Sequence, residues 1–239
     1  MSLYISMNIE NKDLPECIGF IMDGNRRWAR ERKFDTLEGH KIGLQNVFMG
    51  MIDTVRNLNI RHAVFYAFST ENWNRSENEV SYLMKLFQKT LNELIKKAEE
   101  TKKEGVRIRV VGDKSRFSDT IQNLMEQLEE KTETETKTTV WIALSYGGRA
   151  EIVSATNRAV EKGEKVDEKT FKELMWTAEM PDPDIIIRTG GDRRISDFLL
   201  WQMAYSEFFF TDTLWPDFGE EEFKSMLSEY EGRQRRKGK

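Results

Sequence analysis

Residues 18–28 read Ile-Gly-Phe-Ile-Met-Asp-Gly-Asn-Arg-Arg-Trp. A mostly apolar run, Ile18 to Met22, enters Asp23-Gly24-Asn25, and the chain then turns basic with Arg26, Arg27, Arg30 and Arg32. This order predicts a short buried strand, a glycine turn and a helix that opens with its backbone N–H groups uncovered. A carboxylate stands at the strand tip. Helix N-termini bind anions, and neighbouring arginines reinforce a preference for phosphate. Alone, Asp-Gly-Asn is an ordinary turn signal, and most such turns bind nothing.

Working outward, further strands are expected at 62–69, 106–111, 139–145, 184–187 and 207–210, several of them near-continuous apolar runs of the kind buried on both faces of a parallel sheet. Helical periodicity occupies 40–58, 77–104, 115–131, 149–162, 168–178 and 219–231. Strand-helix alternation over the whole length predicts an α/β fold: a single domain spanning 1–239, with a mostly parallel central sheet of about six strands flanked by helices. Residues 1–15 read as an N-terminal extension and 232–239 as a basic tail. In helix 77–104, Ser76 and Glu79 form a capping-box pattern. Behind them Val80, Leu83, Met84, Phe87, Leu91, Leu94, Ile95 and Ala98 share one apolar face. By pattern alone, that face packs on the sheet.

The ends of the expected strands carry the chemistry. They read Asp23-Gly-Asn-Arg-Arg27, Ser69-Thr-Glu-Asn-Trp-Asn-Arg75, Gly112-Asp113, Tyr146-Gly-Gly-Arg149 and Arg188-Thr-Gly-Gly-Asp-Arg-Arg194. In open parallel sheets ligands sit outside the carboxyl ends of the strands. Glycines, hydroxyls, amides and arginines on one edge suit phosphate-rich anions, with carboxylates available to hold a metal. No G-x-x-x-x-G-K-[ST], G-x-G-x-x-G or G-x-S-x-G occurs, so the site is not one of the familiar nucleotide or hydrolase kinds.

Composition narrows the field. With 239 residues and 38% hydrophobic content the chain can bury a full core. A net charge of −4 argues against a general nucleic-acid binder. One cysteine and two histidines rule out an intramolecular disulfide, a cysteine cluster for zinc and a histidine-rich metal centre. A metal here takes oxygen ligands, which suits magnesium. No apolar run approaches the ~20 residues that span a bilayer, and residues 1–13 do not read as a signal peptide. A cytoplasmic location is the expectation.

The motifs Met22-Asp-Gly-Asn-Arg-Arg-Trp-Ala29, Gly39-His-Lys41, Tyr66-Ala-Phe-Ser-Thr-Glu-Asn-Trp-Asn-Arg75, Asp184-Ile-Ile-Ile-Arg-Thr-Gly-Gly191, Arg194-Ile195-Ser196, Phe198-Leu-Leu-Trp-Gln202, Tyr205-Ser-Glu207 and Phe210-Thr-Asp-Thr-Leu-Trp-Pro216 resemble the cis-prenyltransferase family, to which undecaprenyl diphosphate synthase belongs. The resemblance runs from Ile18 to the tail. It implies condensation of isopentenyl diphosphate onto an allylic diphosphate such as farnesyl diphosphate, with Mg2+, in a homodimer, and peripheral membrane association for product release. The aspartate-rich D-D-x-x-D motifs of the trans-acting counterparts are missing.

Residue by residue, the resemblance makes Asp23 the essential carboxylate, holding magnesium, with Glu207 as a second magnesium ligand. Gly24, Asn25, Arg26 and Arg27 cradle the allylic diphosphate. Trp28, His40, Ser69, Thr70 and Glu71 line the same site, and Trp73 and Arg75 complete it. Arg188, Arg194 and Ser196, with Ile195 between them, grip isopentenyl diphosphate. Asn72 matches the residue often described as the proton acceptor. A neutral amide is a poor base, so Asn72 is read as orienting isopentenyl diphosphate while a diphosphate oxygen or water takes the proton. Helix 77–104 becomes the wall of a hydrophobic tunnel between sheet and helices, with Leu83, Met84, Phe87 and Leu91 facing the product. Ala67, Leu91 and Trp141 are candidates for setting its length. Trp201 and Trp215 read as core or interface.

One departure and one further match stand out. Thr36 occupies the point where the family has an arginine before Gly-His; either Arg32 or Lys33 substitutes, or the allylic diphosphate binds more weakly. Arg236-Lys237-Gly238 resembles the family's C-terminal Arg-x-Gly, which reaches the active site across the dimer interface. The rival reading, a non-catalytic accessory subunit, fits poorly with the presence of Asp23, Arg188, Arg194 and Ser196.

Overall fold

The computed structural model describes residues 14–134 and 137–233. The expected N-terminal extension and the tail motif 236–238 therefore fall largely outside the described residues. Six strands, β1 (Cys17–Ile21), β2 (His62–Ser69), β3 (Val106–Val111), β4 (Thr138–Tyr146), β5 (Ile185–Arg188) and β6 (Glu207–Phe210), form one sheet in the order β3-β4-β2-β1-β5-β6. Every pairing is parallel. β1, β4 and β5 are buried at every position, as interior strands of a parallel sheet covered on both faces are. From β1 the chain leaves toward β2 on one side, and from β5 toward β6 on the other. The β1/β5 boundary is thus the topological switch point, where a crevice opens beyond the carboxyl ends.

One face of the sheet is covered by α3 (Met49–Asn57), α4 (Glu77–Lys96), α6 (Asp119–Lys131) and α9 (Glu220–Gly232), whose apolar sides join Phe20, Phe65, Ile142 and Leu144 in the larger core. On the other face Val64, Trp141, Ala143 and Ile186 pack on Met180, Phe198, Leu199 and Met203. Along β4 the side chains alternate, so Ile142 and Leu144 look toward α4 and Trp141 looks away. Trp141 accordingly cannot border the expected tunnel. Ala67 and Phe68 both lie on the α4 side because β2 shifts register against β4 between Tyr66 and Ser69.

Tertiary contacts reshape three expected helices. Region 40–58 is α2 (Glu38–Ile42), a π-helical segment (Gly43–Phe48) and α3. The backbone there passes so close to α1 (Asn25–Glu31) that a Cβ on Gly43 would lie 2.2 Å from Asn25 Oδ1. Region 77–104 breaks at Lys97 into α4 and α5 (Ala98–Lys103). Helix α7 (Gly148–Lys162) forms as expected, but α8 stops at Glu168–Lys172. Beyond it Thr177 donates its N–H and its hydroxyl to Glu151 Oε1 at 2.9 and 2.8 Å, and no helix can continue through that turn.

Candidate active site

Asp23 and Arg188 meet at the switch point. Arg188 Nη2 donates to Asp23 Oδ2 at 2.8 Å, and the Gly24 N–H donates to Oδ1 at 2.6 Å. Arg27 adds its charge 3.4 Å from Oδ1. Burial pushes the Asp23 carboxyl up, but Arg188, Arg27 and the Gly24 N–H outweigh it and hold the group below the usual carboxylate range. The turn needs glycine at two points. Gly24 sits at φ 109°, and Gly190, at φ 89°, lies where a Cβ would come within 2.6 Å of Arg27 Nη2.

Arg188 is itself buried. Its Nη1 donates to Ser196 Oγ at 2.8 Å and to the Arg194 carbonyl. Asp192 accepts from Arg194 at 2.8 Å and lies 3.7 Å from Arg27 and 3.8 Å from Arg188. The loop is held in a costly backbone shape, with Ser196, Asp197 and Leu199 at φ 50°, 62° and 44°. The start of α7 clamps it: Gly148 N–H donates to the Asp197 carbonyl at 2.6 Å and Arg149 N–H to Asp197 Oδ1 at 3.1 Å. The Tyr66 hydroxyl reaches the Ser196 carbonyl at 3.2 Å. Behind the clamp, the fully buried Glu151 takes four hydrogen bonds from Tyr146, Gln202 and Thr177.

A second cluster faces the first across the crevice. Glu79 accepts from Arg75 at 2.9 Å and lies 3.8 Å from both Arg26 and His40 Nε2. Burial, then the charges of Arg75 and Arg26, lower the His40 imidazole to about 4. His40 is therefore neutral at pH 7, and its buried Nε2 has no hydrogen-bond partner. Asn25 anchors the turn through Nδ2 to the Met22 carbonyl at 3.2 Å, while its buried Oδ1 is unpartnered. Asn72 Oδ1 accepts the Ser69 N–H at 3.1 Å. That bond commits the amide oxygen to the backbone of the turn.

Two spaces join here. An open crevice touches Asp23, Ser69, Glu71, Arg188, Arg194 and Ser196. A pocket bordered by Asn25, His40, Arg75 and Trp215 shares Met22, Tyr66, Asn72 and Arg75 with it, and runs inward to Leu83 and Phe87. Beyond lies a narrow apolar space between β2, β4 and α4, bordered by Ala67, Phe87 and Leu91. Leu83, Phe87 and Leu91 thus face the tunnel, whereas Met84, expected beside them, packs half-buried against the core and borders none of these spaces. Trp215 was read as core or interface; it is core, with Nε1 donating to the Gly43 carbonyl at 2.9 Å, and it also borders the pocket.

Several expected residues stand back from these spaces. Trp28 is buried, stacks near Phe34 and donates Nε1 to Asp217 at 2.7 Å. Arg32 is engaged by the same Asp217 at 2.8 Å and lies 4.4 Å over the Trp28 ring, so it is not free to replace the family arginine at Thr36. Trp73 donates to Ser145 Oγ at 2.9 Å and packs edge-on against Phe68 and Phe117, anchoring the short 3-10 turn Thr70–Asn74. Glu207 requires a correction. It pairs in register with Ile185, which pairs with Ile18, so it stands at the opposite end of the sheet from Asp23. At ~3.3 Å per residue the separation is about 16 Å. Within one chain the two cannot share an ion, and Glu207 instead accepts from Arg233 at 2.7 Å.

Among the described residues no group of three His, Cys, Asp or Glu could cage a metal. Magnesium rarely needs one; it is commonly held by one or two carboxylates together with substrate phosphates and waters. Asp23, partly exposed beside an arginine-lined crevice, fits that mode. Sequence reasoning missed Glu79 as more than a cap, and missed Asp192, Asp197 and Tyr66 as site elements. Asp192 lies inside the quoted strand end 188–194 and Tyr66 inside the quoted stretch 66–75, which was the available signal for those two; Asp197 falls between two quoted motifs.

Cationic loops at a sheet switch point, leading into an apolar space, suit a ligand with an anionic head and a hydrocarbon tail. Comparison with known proteins agrees. Residues 21–238 match the family model described as putative undecaprenyl diphosphate synthase. The chain is 43% identical over 227 residues to an isoprenyl transferase of Aquifex aeolicus, covering 95% of this chain and 96% of that protein. It is 40% identical over 238 residues to a ditrans,polycis-undecaprenyl-diphosphate synthase of Micrococcus luteus named as (2E,6E)-farnesyl-diphosphate specific, covering 97% and 94%. The crystal structure of lavandulyl diphosphate synthase from Lavandula x intermedia in complex with dimethylallyl diphosphate superposes with a TM-score of 0.88 at 33% identity, covering 95% of this chain and 99% of that one. The chain belongs to the undecaprenyl diphosphate synthase family of cis-prenyltransferases and is a prenyltransferase.

Proposed function

We propose that this chain condenses isopentenyl diphosphate with an allylic diphosphate to give a cis-polyprenyl diphosphate, with Mg2+ as cofactor. The observation that carries this reading is the Asp23–Arg188 pair at 2.8 Å, set between arginine-lined loops at the mouth of an apolar tunnel. The allylic diphosphate lies against Gly24, Asn25, Arg26, Arg27, His40 and Arg75, with its hydrocarbon in the tunnel. Isopentenyl diphosphate lies against Arg188, Arg194 and Ser196, oriented by the Asn72 amide. The allylic C–O bond breaks with its electron pair going to diphosphate. The terminal alkene carbon of isopentenyl diphosphate then bonds to the allylic C1, and the proton lost from its C2 passes to a diphosphate oxygen.

Fixed donors aimed at the departing diphosphate are the expected main catalytic term. Each charge-assisted hydrogen bond contributes about 1.5–3 kcal/mol. Magnesium, held by Asp23, would neutralise charge developing on the leaving group. Each five-carbon unit buried in the tunnel gains roughly 4 kcal/mol, at ~0.8 kcal/mol per methylene.

A homodimer is part of the same reading. Exposed Val153 and Val160 on α7, and Tyr205 beside the β6 edge, are apolar surface that a second copy would cover. No helix among the described residues is long and apolar enough to cross a membrane; a cytoplasmic location with peripheral membrane contact suits a lipid product. The accessory-subunit alternative is disfavoured by the intact Asp23–Arg188–Ser196 chain of hydrogen bonds.

The test is incubation of purified protein with labelled isopentenyl diphosphate, Mg2+ and allylic primers of several lengths, followed by chain-length analysis. Incorporation should cease with a chelator and return with Mg2+. No incorporation with any primer would overturn the proposal.

A further inference from the structure

We infer that the product tunnel has a second opening, between α3 and α4, through which the far end of a long polyprenyl chain leaves the protein. This rests on the prenyl-transfer reading above. The apolar space behind Phe87 ends at Thr90 and Leu94. A separate outer cavity, bordered by Gln45, Met49, Glu93 and Lys97, begins at the same two residues. A wall one side chain thick divides them.

Three features of that wall suit an opening. First, the Thr90 hydroxyl is buried without a hydrogen-bond partner. A helical threonine can satisfy its hydroxyl on the carbonyl one turn back, and an orphaned hydroxyl costs about 1–3 kcal/mol, so this side chain sits in a wall that is not sealed for stability. Second, the π-helical segment Gly43–Phe48 turns Leu44 and Phe48 to the inner space and Gln45, with neighbouring Met49, to the outer one. Such segments are rare and recur at functional sites. Third, α4 breaks at Lys97, the outer end of the cavity, where one N–H is shared between the Glu93 and Leu94 carbonyls at 3.3 and 3.1 Å. The outer rim of Gln45, Glu93 and Lys97 is polar, while Leu94 and Met49 lie behind it. A rotamer change at Leu94 would join the two spaces without moving the sheet.

Substitutions confined to the outer cavity discriminate a through-tunnel from a blind one. Gln45→Trp and Met49→Trp touch no residue of the diphosphate site and do not narrow the inner space. With farnesyl diphosphate as primer, both should shorten the main product by at least one isoprene unit while leaving the rate of the first condensation unchanged. Leu94→Ala should shift products longer. Thermal unfolding identifies a variant that fails to fold, and Gln45→Trp, on the half-buried face, serves where Met49→Trp does not. Wild-type product lengths from both folded outer variants would overturn the second opening. Absence of product from the wild type would overturn the prenyl-transfer reading and this inference with it.

Discussion

Replacing Asp23 with asparagine separates its charge from its shape. In the wild type each carboxylate oxygen accepts a different donor, Oδ1 from the Gly24 N–H and Oδ2 from Arg188. An asparagine amide has one acceptor and one donor, so either the Gly24 N–H or the Arg188 guanidinium must face another N–H. Hydrogen bonds to charged groups contribute about 1.5–3 kcal/mol. With the Asp23 side chain 31% exposed, solvent screening places the loss near the lower end, about 1.5 kcal/mol. The sign with pH follows from the depressed carboxyl. Its stabilisation is present above the unfolded value of about 3.9 and is lost as pH falls through the lower folded value. Urea unfolding should therefore show a gap between wild type and Asp23→Asn at neutral pH that closes as acid protonates the wild-type carboxyl. Turnover with labelled isopentenyl diphosphate should fall by roughly 10²–10³, the usual cost of removing one group that stabilises transition-state charge. Equal stability at pH 7, or wild-type turnover, would refute the role given to this residue.

His40 should titrate near 4 in ligand-free protein, followed by NMR, and its midpoint should rise when inorganic diphosphate is added. Since the unfolded side chain titrates near 6.5, the unfolded state takes the proton first, and stability declines as pH drops from about 6.5 to about 4, by at most roughly 3 kcal/mol; His40→Gln should flatten that slope. Gly39→Ala would put a Cβ 1.9 Å from the Asn25 carbonyl, so α2 must shift off α1. A cost of about 1–3 kcal/mol in denaturant unfolding is expected, with weaker binding of the allylic diphosphate; an unchanged midpoint would contradict the close approach. Glu151→Ala strands donors from Tyr146, Thr177 and Gln202 in a dry interior. It should lose at least about 3 kcal/mol, and the melting temperature should fall well below that of a surface Glu→Ala control.

Much of this architecture was legible before any coordinates. Strands at 62–69, 106–111 and 207–210 match the observed limits, because short runs of β-branched and aromatic residues bounded by turn or polar residues mark strands whether or not both faces are buried. The pairing of Asp23 with Arg188 was less visible, since 165 residues separate them and only the sheet order brings their strand ends together. Motif resemblance grouped them, but not their contact.

Local sequence alone determined where the chain becomes strand or helix, where its phosphate-favouring loops lie and which metal chemistry its composition permits. Those properties depend on neighbours in sequence: apolar period, turn residues and the kinds of side chain available. Tertiary structure decided what distance along the chain conceals. Register sent Glu207 to the far end of the sheet from Asp23, and strand alternation turned Trp141 away from the tunnel. Asp217 claimed both Trp28 and Arg32 for packing. Glu79, legible only as a helix cap, proved to pair with Arg75 and to lie against Arg26 and His40 on one side of the crevice, because its helix starts where the inner pocket opens.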